Sequence, residues 1–188
     1  SIINDNKNDL LFYDILNYHI SSYKNDFDII IVGDDEALDL VLKYKNVIFP
    51  NTPIIFEGIE NRSIAEIAAM DPLITGSIEK LNFENNIHTA LNLYPDAKNI
   101  IAIADNTLTG IGDREQFYDE QEQFPNLTFK DINSSELNEK DFISAISKLN
   151  DDTILLYLNM SETLDKKQYS DYEVCKLITE NTAIPLFC

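Results

Sequence analysis

The sequence has little positive charge, with 14 lysines and arginines against 33 aspartates and glutamates and a formal net charge of −19. Such a chain is repelled by nucleic acid and by anionic membrane surfaces, so we expect no nucleic-acid partner. No apolar run approaches the ~18 residues that a membrane span needs. The opening "SIINDNKNDLLF" lacks the basic and then apolar pattern of a signal peptide. With 44% hydrophobic residues, the chain can still build a packed core.

Residues typical of metal sites and catalytic centres are also scarce. The two cysteines, Cys175 and Cys188, and the two histidines, His19 and His88, show no metal-ligand spacing. No nucleophile-and-base motif, phosphate-binding loop or dinucleotide-binding glycine pattern is present. We therefore expect no metal, no cofactor and no catalytic residues, and a domain that is not an enzyme. Whether Cys175 and Cys188 pair stays open.

Helix and strand patterns alternate along the chain, which predicts an α/β fold with parallel sheets. The continuous β-branched run at 28–33 is typical of a strand buried on both faces. Residues 100–105 are a second fully apolar strand that ends in an acid. Strands are predicted at 28–33, 53–59, 71–77, 100–105, 127–132, 153–158 and 184–187. Helices are predicted at 9–24, 35–45, 63–70, 83–94, 110–124, 138–149 and 170–181.

Two stretches repeat one pattern of apolar strand, acid and helix: "DIIIVGDDEAL" and "NIIAIADNTLTG". One interpretation is ordinary repetition of α/β units. The other is a pair of similar lobes whose acidic strand ends line one cleft, because ligands of open α/β sheets bind beyond the carboxyl ends of the strands.

The acids after the first strand also suggest a phospho-accepting receiver domain. A receiver needs an aspartate at the end of its third strand. Here the corresponding stretch "PLITGS" ends in Thr75, Gly76 and Ser77, with no residue to take the phosphoryl group. The receiver hypothesis is therefore rejected.

The stretch "FDIIIVGDDEALDLVLKYKNVIFPNTPIIFEGIE" resembles the first lobe of periplasmic-binding-protein-like domains of the ABC-transporter substrate-binding type. These domains also form extracellular sensor regions of bacterial histidine kinases and diguanylate cyclases. "ITGSIEKLNFENNIHTALNLYPDAKNIIAIADNTLTG" is similar to the segment that follows in that family. The resemblance covers about residues 27–112 well and extends loosely to 188. The family's usual first strand and its last crossings between lobes are not found, so we expect a truncated piece.

The resemblance implies two Rossmann-like lobes of the type I periplasmic-binding-protein class, at residues 1–95 and 96–188. It implies an extracytoplasmic ligand-binding sensor domain, outside the cell membrane, that signals by lobe closure to an attached membrane-anchored kinase or cyclase module. One alternative is a solute-binding protein of an ABC transporter, and a second is a cytosolic α/β enzyme. A homodimer also stays open.

Candidate ligand-binding residues lie where strands are predicted to end. Their side chains suit a small polar ligand such as an amino acid or a sugar. We expect Asp34 to serve partly as a helix cap and Asp35 to be freer to point outward. Asp105→Ala is expected to weaken binding while leaving the fold intact. Gly110 would let the helix start approach a ligand. The full set is Asp34, Asp35, Glu57, Gly58, Thr75, Gly76, Ser77, Asp105, Asn106, Thr107, Thr109 and Gly110.

Overall fold

The structure, a computed structural model, describes residues 14, 18 and 27–188. Most of the predicted helix at 9–24 thus lies outside the described residues. The strands are β1 (Ile30–Gly33), β2 (Ile54–Ile59), β3 (Ile74–Ile78), β4 (Asn99–Ala104), β5 (Thr128–Asn133), β6 (Thr153–Tyr157) and β7 (Leu186–Phe187). The α-helices are α1 (Asp35–Ile48), α2 (Arg62–Ala68), α3 (Phe83–Leu93), α4 (Leu108–Asp119), α5 (Glu139–Ile146) and α6 (Asp171–Asn181). Short 3₁₀ helices follow α4 and β5, at Glu120–Gln123 and Ser134–Glu136.

The predicted α/β class is confirmed, with two parallel sheets flanked by helices. The chain forms two compact units that divide between Glu79 and Lys80. The sequence prediction placed this boundary at residue 95. It differs because Phe83 and Ile87 of α3 pack in one hydrophobic cluster with Ile100 of β4, so α3 belongs to the second unit.

The first unit contains a three-stranded sheet in the order β1-β2-β3. Both of its crossovers advance in the same direction across the sheet. Because parallel crossovers are almost always right-handed, α1 and α2 fall on the same face. Val32 and Phe56 are buried, whereas Ile31 on the opposite face is 68% exposed. The prediction that the strand at 28–33 is buried on both faces is therefore wrong for the described residues.

The second unit contains a four-stranded sheet in the order β5-β4-β6-β7. The first crossover runs one way from β4 and the next two run the other way, so right-handed connections place helices on both faces. Ile100 packs in a cluster with Phe117 of α4, while Ile103 packs with Phe142 of α5. β4 is therefore buried on both faces, as the fully apolar run at 100–105 allows.

Candidate functional site

At the carboxyl edge of the first unit's sheet, Asp34 adopts an unusual backbone conformation. It follows β1 directly, is exposed, and has φ 86° and ψ 151°. This region of backbone space is essentially restricted to glycine and costs about 1–3 kcal/mol for other residues. Asp34 caps α1, because its Oδ1 accepts a hydrogen bond from the Glu36 backbone N–H at 3.3 Å. The predicted capping role is confirmed.

The end of β2 lies next to Asp34. The Asp34 backbone N–H donates to the Glu57 carbonyl oxygen at 3.3 Å. The pairing of β2 with β3 is irregular between Phe56 and Ile59, and Gly58 there has φ +62°. A β-bulge with a left-handed glycine bends the strand and redirects its side chains. Glu57 is exposed, so Asp34 and Glu57 bring two solvent-exposed carboxylates to this edge.

A third acid at this edge, Glu36, was not among the predicted site residues. Partial burial of its carboxyl group, a side-chain hydrogen bond with Asp34, and the charges of Asp34 and Asp35 raise its pKa from 4.5 to about 7. A side-chain hydrogen bond therefore links Glu36 to Asp34, and Glu36 is partly protonated near neutral pH. The signal in the sequence was the third consecutive acid of "DDE", which the prediction used only as a helix start.

Asp35 does not point outward, as the sequence prediction expected. Its side chain is fully buried, and its Oδ1 accepts a hydrogen bond from the backbone N–H of Asn61 at 3.1 Å. Asn61 in turn caps α2 by accepting from the Ile64 backbone N–H at 3.2 Å. Asp35 is turned inward because, as the first residue of α1, it meets the start of α2. It links the two helices instead of facing solvent.

The remaining candidates of the first unit, Thr75, Gly76 and Ser77, lie inside β3 and not beyond its end. All three are exposed. A Cβ atom at Gly76 would lie 2.2 Å from the Phe56 carbonyl oxygen. The glycine is thus required for close packing of β3 against β2. Glu79, which does follow the end of β3, was missed because the predicted strand ended at residue 77.

At the carboxyl edge of the second sheet, Asp105 is completely buried. Its Oδ1 accepts from the Thr107 backbone N–H at 3.0 Å and from the Thr107 hydroxyl at 2.5 Å. Its Oδ2 accepts from the backbone N–H and the hydroxyl of Ser161, both at 2.8 Å. Burial alone would raise the pKa of Asp105, but the hydrogen bonds from Thr107 and Ser161 outweigh it and lower the pKa. Asp105 therefore joins the loop after β4 to the loop after β6.

Of the candidate residues after Asp105, some hold the start of α4 in place and one is exposed to solvent. The Thr107 hydroxyl caps α4 by accepting from the Gly110 backbone N–H at 3.0 Å. A Cβ atom at Gly110 would lie 2.4 Å from Asp105 Oδ1, so this glycine lets the helix start approach Asp105. Thr109 is half-buried in α4, whereas Asn106 is exposed.

Asn106 is the centre of a polar network that the sequence did not reveal. Its Oδ1 accepts from Asn133 Nδ2 at 2.8 Å and from Arg114 Nη2 at 3.1 Å. Its backbone N–H donates to the Ser135 hydroxyl at 3.0 Å. Asn133 is the last residue of β5, the neighbour of β4, and Ser135 lies in the 3₁₀ helix that follows it. They could have been found only with the strand order known, since the network depends on β4 and β5 being adjacent.

No protein-family model, curated protein or solved structure matches the chain. Among residues 14, 18 and 27–188, no helix is long and apolar enough to cross a membrane. Within the same residues, no group of three or more histidines, cysteines or acids is placed to hold a metal ion.

Proposed function

We propose that this chain is an extracytoplasmic ligand-binding sensor domain of a bacterial membrane signalling protein, of the periplasmic-binding-protein-like type. The family resemblance around β1, α1 and β4 supports the assignment, and two units with parallel sheets agree with it. In the full-length protein, the domain would act on an attached kinase or cyclase module. The ligand class is a small polar molecule of the amino acid or sugar kind.

The observation that carries this proposal is the backbone of Asp34. A non-glycine residue in this conformation destabilises the domain, and such strain is concentrated at binding and catalytic sites. The carboxylate it presents is exposed at the carboxyl edge of a parallel sheet, where α/β folds bind ligands. An aspartate at this position is explained if its side chain contacts the ligand.

The acidic character of the edge points to a ligand with a positively charged amine, such as an amino acid. Asp34, Glu36 and Glu57 supply carboxylates there, and Glu36 holds a proton near neutral pH. An ammonium group beside these acids would favour their charged forms and lower the pKa of Glu36. Binding would then release a proton, and affinity would rise with pH through about 7.

The test is a thermal-shift screen of the chain against amino acids, other amines, sugars, purines and small carboxylates. A ligand at about 100 times its Kd stabilises the domain it binds by ~2.7 kcal/mol. The same screen is run on Asp34→Gly, which we expect to be about 1 kcal/mol more stable without ligand, because glycine relieves the strain and costs little as a cap. Its response to the ligand should be lost.

Glu66→Ala is the matched control, since it removes one exposed negative charge from α2, away from the strand ends. It should respond as the unsubstituted chain does. No stabilisation by any compound would contradict the proposal. An equal thermal shift in Asp34→Gly would keep the proposal that the chain binds a ligand but would exclude Asp34 from the binding site. Lobe closure has its own readout, a ligand-dependent fall in the radius of gyration measured by solution X-ray scattering.

A further inference from the structure

The fold brings the two cysteines of the chain to one corner of the second unit. Cys188 directly follows β7, which pairs in parallel with β6 through Leu155↔Leu186 and Leu156↔Phe187. Continuing this register by one residue places Cys188 beside Tyr157. The Tyr157 hydroxyl donates to Asp171 Oδ1 at 2.7 Å. Asp171 is the first residue of α6, and Cys175 lies one helical turn later on the same side of the helix.

The side chains of Cys175 and Cys188 interact with each other. The pKa of the Cys188 thiol is raised by burial, then by the nearby Cys175 and by a hydrogen bond with the Cys175 side chain. Cys175 also contributes, after burial and Asp171, to the raised pKa of Tyr157, which agrees with the position expected from the strand register. Both cysteines are free; Cys188 is exposed and Cys175 is half-buried. A small oxidant can therefore reach the pair.

We propose that Cys175 and Cys188 form an intramolecular disulfide. With a small disulfide such as oxidised glutathione as oxidant, the more exposed Cys188 thiolate attacks one of its sulfurs and releases one glutathione thiolate. The Cys175 thiolate then attacks the sulfur of Cys188 in the mixed disulfide and releases the second. The two protein thiols lose two electrons and two protons, and one glutathione disulfide becomes two thiols.

This bond would join the edge strand β7 to α6. β7 has only two residues and pairs only with β6 among the described strands, so few hydrogen bonds hold it in place and it opens more readily than the central strands. Closing a loop from residue 175 to residue 188 restricts the unfolded chain and stabilises the folded one. The extracytoplasmic location proposed above is an environment where disulfides persist, although the chemistry of the pair does not depend on that proposal.

The experiment exposes the folded chain to graded ratios of oxidised and reduced glutathione at pH 8.5, where thiolates are more abundant. Remaining thiols are trapped with an alkylating reagent and the peptides are identified by mass spectrometry. We expect a monomeric product with a Cys175–Cys188 cross-linked peptide and no alkylated thiol. Its melting temperature should exceed that of the reduced chain by about 5 °C or more.

Cys175→Ser and Cys188→Ser are the matched controls, and their circular dichroism shows whether each variant is folded. Each should stop at a mixed disulfide with glutathione and show no rise in melting temperature. Two alkylated thiols in the unsubstituted chain under conditions that modify the single variants would overturn the proposal. Disulfide-linked dimers in place of the internal cross-link would do the same.

Discussion

The strand ends of the two units resemble each other in sequence and differ in structure. In the first unit, the acid directly after the strand, Asp34, is exposed, and its successor Asp35 is buried. In the second unit, Asp105 is buried and its successor Asn106 is exposed. In both units, the pattern of apolar strand, acid and helix thus places one of the two polar residues after the strand in a buried position and the other in contact with solvent. It does not specify which.

The difference has a local cause. Asp105 is turned inward because β4 has a neighbouring strand on each side, and the loop after β6 supplies two donors from Ser161. β1 has a neighbour only on one side among the described strands. The Asp34 side chain is hydrogen-bonded within its own helix start, to the backbone N–H and the side chain of Glu36, while Asp35 accepts from Asn61 at the start of the adjacent helix. We conclude that Asp105 is buried because β4 is a central strand with loops on both sides to contact, and that Asp34 stays at the surface because β1 is an edge strand.

The largest effect expected from this comparison is that of Asp105→Ala on stability. Removing the carboxylate leaves the donors of Thr107 and Ser161 without their acceptor inside the protein, which should lower the free energy of unfolding by about 4 kcal/mol. Asp105→Asn keeps one acceptor oxygen, so its free energy of unfolding should lie between those of Asp105→Ala and the unsubstituted chain. Urea unfolding followed by far-UV circular dichroism measures both. A normal stability for Asp105→Ala would restore the sequence-based expectation that this residue serves only a ligand.

A test of intermediate size compares two glycines next to these acids. Gly110→Ala places a Cβ atom against Asp105 and should cost about 2 kcal/mol. Gly33→Ala, immediately before Asp34, meets no atom within 4 Å and should change stability by less than about 0.5 kcal/mol. The measurement is the urea midpoint of each variant. Equal effects would show that the two edges are packed alike.

The smallest effect concerns Glu36→Gln and its pH dependence. The pKa of Glu36 is about 7 in the folded chain and 4.5 ordinarily, so between these values the folded state binds more protons than the unfolded state. The contribution of Glu36 to the free energy of unfolding is therefore fully present below pH 4.5 and is lost as the pH rises through about 7. Glutamine does not titrate, so at pH 8 the free energy of unfolding of the variant should exceed that of the unsubstituted chain. The expected difference is about 1 kcal/mol after the reduction for solvent screening.

The measurement is a set of urea unfolding curves between pH 4 and 8, with Glu66→Gln as the control for an exposed acid on α2. The control should follow the unsubstituted chain throughout. If Glu36→Gln also follows it, the pKa of Glu36 is not raised in the folded chain, and the expected rise of ligand affinity with pH loses its basis.

The type and order of the described elements were predictable from the sequence, because apolar runs and helical periodicity are local signals. The apolar stretches that became β4 and β1 looked alike, however, and only β4 is buried on both faces. That outcome depends on strand order, which determines on which face each right-handed crossover lies. Strand order arises from contacts between residues far apart in the chain, so the burial of Asp105 and the network around Asn106 could not be inferred from local patterns.

The central position of β4 also affects how the second unit can form during synthesis. Its neighbours β5 and β6 both come later in the chain, and Asn99 pairs with Thr153 about 50 residues downstream. At about 5–20 residues per second, β4 waits roughly 3 to 10 seconds on the ribosome before its second neighbour is made. Throughout that interval an apolar strand has an open edge, the situation in which chains associate wrongly. We therefore expect that aggregation during expression begins at this strand.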